Sequence, residues 1–234
     1  MATPVETVFE DEELRLRWLP GRLPRMVVVF TGMKARFGGA PVDEFARSAA
    51  CGGQNNVLFV TDRRATWYAA PGLWRRIVRF VRYLRRSEGM REVLTLGTSM
   101  GGFGALLLPR DVRVLRAVAF APQVTMDPEI LADDRWPPVK ARWGTLPARS
   151  VADVVASGRT QYYVAAGAGC AEDMAHLDLL PDTPRVRRYL LPDGRHNPAR
   201  ALKEAGLLPI VVAAMLRGQD RRAARLLAGI AGAP

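Results

Sequence analysis

Continuous apolar runs alternate with segments of helical periodicity along this chain. A strand buried on both faces of a parallel sheet has no solvent-facing side, so it is apolar at consecutive positions rather than at alternate ones. Each of these runs is short enough for a strand. The strands predicted in this way are Met26–Phe30, Asn56–Val60, Glu92–Leu96 and Leu115–Phe120. Two more strands are predicted over Gln161–Ala166 and Val186–Leu191.

Two further strand-like runs, Val5–Phe9 and Leu14–Trp18, lie before the first buried run and flank an acidic turn. They predict a hairpin at an edge of the sheet. Helices are predicted over Val42–Ala50, Leu73–Arg86, Val151–Ala156, Ala199–Leu216 and Arg221–Ile230, and a helix of small residues is predicted from the Gly-rich turn at Gly97 through Leu108. Strands that alternate with helices predict an α/β fold with a doubly wound, mostly parallel sheet flanked by helices.

The length and composition predict a single domain. A chain of 234 residues, 49% of them hydrophobic and 24% charged, can bury one substantial core without disulfides or a metal. An irregular stretch over about 122–158, which includes Trp136-Pro137-Pro138, interrupts the alternation of strands and helices. We interpret it as a short, cap-like insertion over the carboxyl edge of the sheet, within one domain spanning residues 1–234.

The net charge of +11 raises the possibility of a nucleic-acid partner. The arginines, however, are scattered or lie at helical spacing among apolar residues, as in Leu73–Arg86, which is typical of a solvated amphipathic helix. Lysine is nearly absent, so the positive charge reflects biased residue usage as much as a binding face. We therefore predict no nucleic-acid partner.

No apolar run approaches the roughly 20 residues that a membrane-spanning helix needs, and the first residues lack the basic start and apolar core of a secretory signal. Cys51 and Cys170 are far apart in sequence and do not resemble a disulfide framework or a metal-ligand cluster. These features predict a cytoplasmic protein without a transmembrane segment, metal or cofactor. They leave its oligomeric state open.

The turn Gly97-Thr98-Ser99-Met100-Gly101 follows a predicted strand directly and leads into a predicted helix. This is the context of a G-x-S-x-G nucleophile elbow, in which glycines remove side chains that would collide around a strained serine. A phosphate-binding P-loop would need a lysine near the helix start, and a dinucleotide site would need G-x-G-x-x-G. Neither pattern is present, so we predict that Ser99 is a nucleophile.

Through its strand order, this turn and the residues that follow, the chain resembles the α/β-hydrolase superfamily over most of its length. The resemblance implies a catalytic triad in the order serine, acid, histidine, with the histidine after the last strand. His196 lies five residues beyond the final predicted strand and is therefore the expected base. For His176, the other histidine of the chain, we expect a surface or core role.

The same resemblance places the triad acid after the strand Gln161–Ala166, where Glu172 and Asp173 are adjacent. Asp173 is the first choice, because a short carboxylate at a turn or helix-start position is held by backbone N–H groups at a lower entropic cost. Glu172 is the alternative, and Asp127 is the next candidate if neither acts.

The resemblance further implies an oxyanion hole. One N–H group comes from Met100, the residue after the nucleophile. The second comes from the loop after Phe30, where no lipase-like His-Gly pair is present. Met33 is the expected second donor, with Gly32 as its competitor.

The function implied is hydrolysis of a small-molecule carboxylic ester or thioester through an acyl-serine intermediate. Two alternatives remain at this stage. An acyltransferase would use the same triad and pass the acyl group to an alcohol or sugar, and a non-catalytic binding module could be built on a hydrolase scaffold.

Overall fold

The computed structural model describes residues 4–33, 43–135, 144–192 and 196–231. The strands in these residues are β1 (Glu6–Glu10), β2 (Leu14–Leu19), β3 (Arg25–Phe30), β4 (Asn56–Asp62), β5 (Glu92–Thr98), β6 (Arg116–Phe120), β7 (Gln161–Gly167) and β8 (Val186–Leu191). The helices are α1 (Ala46–Ala50), α2 (Leu73–Ser87), α3 (Met100–Leu107), α4 (Ala152–Ser157), α5 (Ala171–Asp178), α6 (Pro198–Glu204), α7 (Leu208–Leu216) and α8 (Asp220–Ala231). A 3₁₀ turn over Leu108–Arg110 continues α3.

The strands form one eight-stranded sheet in the order β1-β2-β4-β3-β5-β6-β7-β8. β1 pairs with β2, and β2 with β4, in antiparallel register, whereas the neighbours from β4 to β8 are parallel. The predicted mostly parallel sheet and its edge hairpin are thus confirmed. Because the parallel strands share one direction, the loops after β3, β5, β6, β7 and β8 meet at one edge.

Two apolar layers cover the sheet, one on each face. Along β3, Val28 contributes to the layer that includes α2 and α3, while Val27 contributes to the layer that includes α7 and α8. Consecutive residues of a strand point to opposite faces, so a strand covered on both sides must be apolar throughout. This is the physical reason that the buried strands could be predicted from continuous apolar runs.

The prediction of one helix over Ala199–Leu216 is wrong. The chain forms α6 and α7 instead, separated by residues 205–207, where Gly206 has φ +71°. The Leu207 N–H donates to the Leu202 carbonyl across this turn, which closes the end of α6. Helix α5 has no strong periodicity and is not predicted from the sequence.

The stretch after β6 is anchored to the domain at Thr125, which forms an isolated antiparallel bridge with Ser150. Its residues 136–143, including Trp136-Pro137-Pro138, lie outside the described residues. The cap-like insertion therefore stays a prediction. No helix in the described part of the chain is long and apolar enough to cross a membrane.

Candidate active site

Ser99 lies at the sharp turn between β5 and α3, with φ 54° and ψ −121°. A left-handed φ is costly for a residue other than glycine and marks stored backbone strain. A Cβ atom on Gly97 would lie 2.2 Å from the Gly101 carbonyl oxygen, and one on Gly101 would lie 2.1 Å from the Phe30 carbonyl oxygen. The turn can close only because both positions lack a side chain.

Three side chains from segments that follow separate strands form a continuous hydrogen-bonded chain. Ser99 Oγ lies 2.9 Å from His196 Nε2, and His196 Nδ1 lies 2.6 Å from Asp173 Oδ1. A carboxylate oxygen can only accept, so Nδ1 carries the ring hydrogen and Nε2 is free to accept from the serine hydroxyl. The arrangement gives a hydroxyl, a base in the required tautomer, and a group that fixes the base.

The two adjacent carboxylates of α5 have different surroundings. Asp173 is buried and contacts His196, whereas Glu172 is exposed and accepts a hydrogen bond from the Cys170 thiol at 3.5 Å. Asp127, the third candidate acid, pairs with Arg149. The structure brings Asp173 to His196.

The two candidate oxyanion donors lie beside Ser99. Met100 is the first residue of α3, where helix N–H groups have no partner within the helix. In the opposite loop, the Gly32 N–H donates to Glu44 Oε2 at 2.8 Å and is thereby occupied. Met33 and Gly32 line the small cavity that also exposes Ser99 and His196.

Glu44 also lines this cavity, and sequence patterns do not point to it. Burial raises the pKa of its carboxyl group, although the hydrogen bond from Gly32 works in the opposite direction. Glu44 anchors the loop after β3 by accepting the hydrogen bond from the Gly32 N–H group. Of the two competing donors in this loop, the Gly32 N–H group is therefore already occupied, and the oxyanion role of Met33 stays a prediction.

Sequence analysis misses Gln123 and Arg135. Gln123 is fully buried, and its Oε1 lies 3.2 Å from Ser99 Oγ and 3.3 Å from the Trp67 indole nitrogen. Its position just after β6, at the carboxyl edge of the sheet, is a signal that could have found it. Arg135 contacts Asp173 from the irregular stretch, where no pattern marks it.

Donor atoms of Cys170, Asp173 and His196 lie within 4.8 Å of one another. Two of these residues, Asp173 and His196, are hydrogen-bonded to each other, and the cationic Arg135 contacts the carboxylate. A metal ion would have to displace both interactions and approach a fixed positive charge. The cluster therefore suits proton transfer better than metal binding.

Compared by sequence, the chain matches no protein-family model and no curated protein. Solved structures are nevertheless similar to it. One is MGS-MChE2, an α/β-hydrolase enzyme from the metagenome of sediments of the Mar Chica lagoon, Morocco, with a TM-score of 0.55 and 18% identity over 91% of this chain and 97% of that one. The chain has the α/β-hydrolase fold.

Two other similar structures have names that state an activity. The fluorophosphonate-binding serine hydrolase F of Staphylococcus aureus has a TM-score of 0.59 and 13% identity, over 88% of this chain and 97% of that one. The capsule O-acetyltransferase of Neisseria meningitidis serogroup A has a TM-score of 0.62 and 13% identity, over 87% of this chain and 93% of that one. At these identities the likeness establishes the fold, and the reaction has to be argued from the site.

Proposed function

We propose that the protein is a serine hydrolase that cleaves a small-molecule carboxylic ester or thioester. The observation that carries this proposal is the hydrogen-bonded chain from Ser99 through His196 to Asp173, placed at the strained turn between β5 and α3. A serine hydroxyl is a poor nucleophile at its ordinary pKa, so it needs a base to remove its proton. His196 Nε2, 2.9 Å from Ser99 Oγ, is placed for this role.

In the proposed mechanism, Ser99 Oγ attacks the acyl carbon while its proton passes to His196 Nε2. The carbonyl oxygen becomes an oxyanion that the N–H groups of Met100 and Met33 stabilise. The tetrahedral intermediate collapses, and His196 returns the proton to the departing alcohol or thiol. Water then attacks the acyl-serine with His196 again as base, releasing the carboxylic acid and free Ser99.

Asp173 has two roles in this proposal. Its carboxylate holds the His196 ring in the tautomer that leaves Nε2 unprotonated, and its charge stabilises the imidazolium that forms during each step. The 1% exposure of the Asp173 side chain strengthens both effects, because little water competes for the charge.

An acyltransferase is the second candidate, favoured by the similarity to a structure described as a capsule O-acetyltransferase. The two reactions share every step up to the acyl-serine and differ in whether water or an alcohol attacks it. Product analysis after turnover of one ester, with and without an added alcohol, separates them. A non-catalytic binding module would need no activated hydroxyl, so the aligned triad argues against it.

A fluorophosphonate probe tests the proposal directly. We expect covalent labelling of the intact protein at Ser99, located by mass spectrometry of the digest, and no labelling of Ser99→Ala. Ser87→Ala, at an exposed serine ending α2, is the matched control and should label like the wild type. His196→Ala should lower turnover of a reactive aryl ester by roughly 10³-fold, because proton transfer is lost. An unlabelled wild-type protein beside a reactive control hydrolase would favour the binding-module alternative.

A further inference from the structure

A groove of about 990 Å³ lies between helix α2 and the hairpin of β1 and β2, and we call it the α2 groove. Its volume is in the range of sites that hold small molecules. The residues that line it include none of those that line the cavity at Ser99. The α2 groove is therefore separate from the candidate active site.

The floor of the α2 groove is apolar. Leu14 and Leu16 of β2 are each 1% exposed, and Phe80 of α2 is half-buried beside them. Phe9 of β1 lies opposite Leu16 in the strand register and so shares its face of the sheet, yet it is 36% exposed. Helix α2 covers β2 on this face and leaves β1 open. An apolar body placed here would remove hydrocarbon surface from water, which is favourable.

One side of the α2 groove carries positive charge. Arg79, Arg82 and Arg86 line it from one face of α2, and we call these three residues the cationic stripe. Arg82 donates a hydrogen bond to the Asp111 carbonyl oxygen, which leaves its charge uncompensated. Within the described part of the chain, Arg79 and Arg86 form no side-chain hydrogen bond or ion pair. The stripe thus offers guanidinium donors that no acidic side chain of this part occupies.

The acidic turn between β1 and β2 neutralises a different arginine. Asp11 and Glu13 both pair with Arg76, which lies nearer the start of α2. The Cζ atom of Arg76 lies 5.3 Å from the centre of the Phe9 ring, so this paired arginine packs on the hairpin. The α2 groove therefore has an apolar floor, one end where charges cancel, and a stripe where they do not.

We propose that the α2 groove binds a single-chain anionic amphiphile, namely a hydrocarbon chain that ends in a carboxylate. The hydrocarbon chain lies on the leucine and phenylalanine side chains of the floor, and the carboxylate accepts hydrogen bonds from the cationic stripe. Arginine suits this role because its planar fork matches a carboxylate. The inference does not rest on the proposed function, because it involves no residue of the Ser99 cavity.

Other occupants fit the α2 groove less well. A flat anionic bilayer would reach the exposed ring of Tyr83 but not the buried leucines of the floor. A peptide would bring N–H groups against a floor of leucine and phenylalanine side chains, which cannot accept hydrogen bonds. A symmetric contact between two copies, centred on this groove, would bring the same arginines of both copies together.

Calorimetric titration with dodecanoate, below its micelle concentration, tests the proposal. We expect saturable binding of one molecule per protein. Acetate, which has only the head group, and dodecyltrimethylammonium, which has the chain with the opposite charge, should each bind at least about tenfold more weakly. Equally tight binding of the cationic amphiphile would overturn the role of the stripe.

Paired arginine variants locate the carboxylate. Arg79→Gln combined with Arg86→Gln should weaken dodecanoate binding by about tenfold or more, because two charge-assisted donors are lost. Arg75→Gln combined with Arg85→Gln removes the same charge from α2 outside the groove and is the matched control, which should bind like the wild type. Equal binding by both double variants, as expected if dodecanoate occupies the Ser99 cavity as a product would, overturns the inference.

Tyr83→Ser tests the apolar part of the α2 groove. Tyr83 is 63% exposed, so its loss should leave the fold intact, as circular dichroism can confirm, and weaken dodecanoate binding about threefold. Leu190→Ser, at a 52% exposed residue of β8, is the control and should have no effect.

Phosphatidylglycerol vesicles and hexaglutamate represent the other occupants. If either binds in a manner that depends on Arg79 and Arg86 while dodecanoate does not bind, the α2 groove serves a membrane surface or an acidic peptide, and the proposal is wrong. A dimer in sedimentation that Tyr83→Ser abolishes, without dodecanoate binding, overturns it as well.

Discussion

Glu172 and Asp173 are neighbours on α5, but the carboxylate of Asp173 is buried and that of Glu172 is exposed to solvent. Successive residues of a helix point about 100° apart, so the two side chains cannot both face His196. Asp173 contacts the ring at 2.6 Å, while Glu172 lies beside the Cys170 thiol. The chemistry proposed for the site therefore depends on one of two adjacent acids.

Asp173→Asn should lower turnover of an aryl ester by roughly 10²- to 10⁴-fold, because an amide no longer favours the required tautomer of His196. Glu172→Gln is the matched control and should change the rate by less than about threefold, as expected for an exposed side chain away from the reacting atoms. Both rates are measured at one pH, with circular dichroism to confirm folding. A strong loss of turnover in Glu172→Gln would move the assignment of the acid from Asp173 to Glu172.

The residues that could be predicted from sequence are those tied to a local pattern. Ser99 follows from the G-x-S-x-G turn, and the candidates His196 and Asp173 follow from their positions after strands in a fold that the chain resembles. Arg135 could not be predicted, because its importance comes from contacts with Asp173 and His196 that no spacing in the sequence encodes. Its side chain becomes relevant only when the stretch after β6 packs against α5.

At the scale of elements, strands were easier to predict than helices and their ends. A strand buried on both faces needs consecutive apolar residues, which leaves a strong signal in β3 and β4. Helix α5 has a weak pattern because it packs only partly against the core, with exposed and buried residues mixed. The break between α6 and α7 lies at Gly206, and Pro209 at the start of α7 also disfavours a continuous helix.

Gly206 should therefore be sensitive to substitution although the space around it is empty. Its φ of +71° is favourable for glycine alone, and no atom lies within 4 Å of the position that a Cβ atom would take. Gly206→Ala should lower the free energy of unfolding by about 1 kcal/mol through backbone strain. Gly229→Ala, within helix α8 and equally open, should raise it by up to about 1 kcal/mol, because alanine favours helix.

Urea denaturation of both variants measures this contrast. Equal changes in the free energy of unfolding for Gly206→Ala and Gly229→Ala would mean that α6 can extend by another turn at its end. In that case the single helix predicted over Ala199–Leu216 would be close in energy to the two helices observed.

At the scale of the whole molecule, the candidate site exists because parallel strands deliver their loops to one edge. Ser99 follows β5, Asp173 follows β7 and His196 follows β8, while Arg135 comes from the long stretch after β6. The cluster of buried Asp133 and His176 with the partly buried Arg135 joins that stretch to α5. The charges that contact Asp173 thus also hold the stretch after β6 against the rest of the domain.

Because this cluster holds the stretch after β6 in place, the stability of the fold should depend on pH through Asp133. Its pKa lies well below the ordinary 3.8, because the hydrogen bonds from His176 and Arg135 outweigh the opposing effect of burial. A carboxyl group whose pKa is lowered by folding stabilises the fold above its unfolded pKa, and this contribution is lost as pH falls below that value. Asp133 should therefore stabilise the protein fully at pH 5–7 and progressively less below about pH 4.

Asp133→Asn should lower the free energy of unfolding at pH 7 by about 3 kcal/mol, because it leaves the partly buried Arg135 charge without its main partner. Asparagine does not titrate, so the difference from the wild type should shrink as the pH falls from 5 to 3. Asp127→Asn is the matched control, since Asp127 pairs with Arg149 near the surface and its loss should change stability much less. Urea titrations of all three proteins at pH 7, 5 and 3 measure these differences. If the difference in the free energy of unfolding between wild type and Asp133→Asn stays constant down to pH 3, the cluster does not depend on the ionised carboxylate.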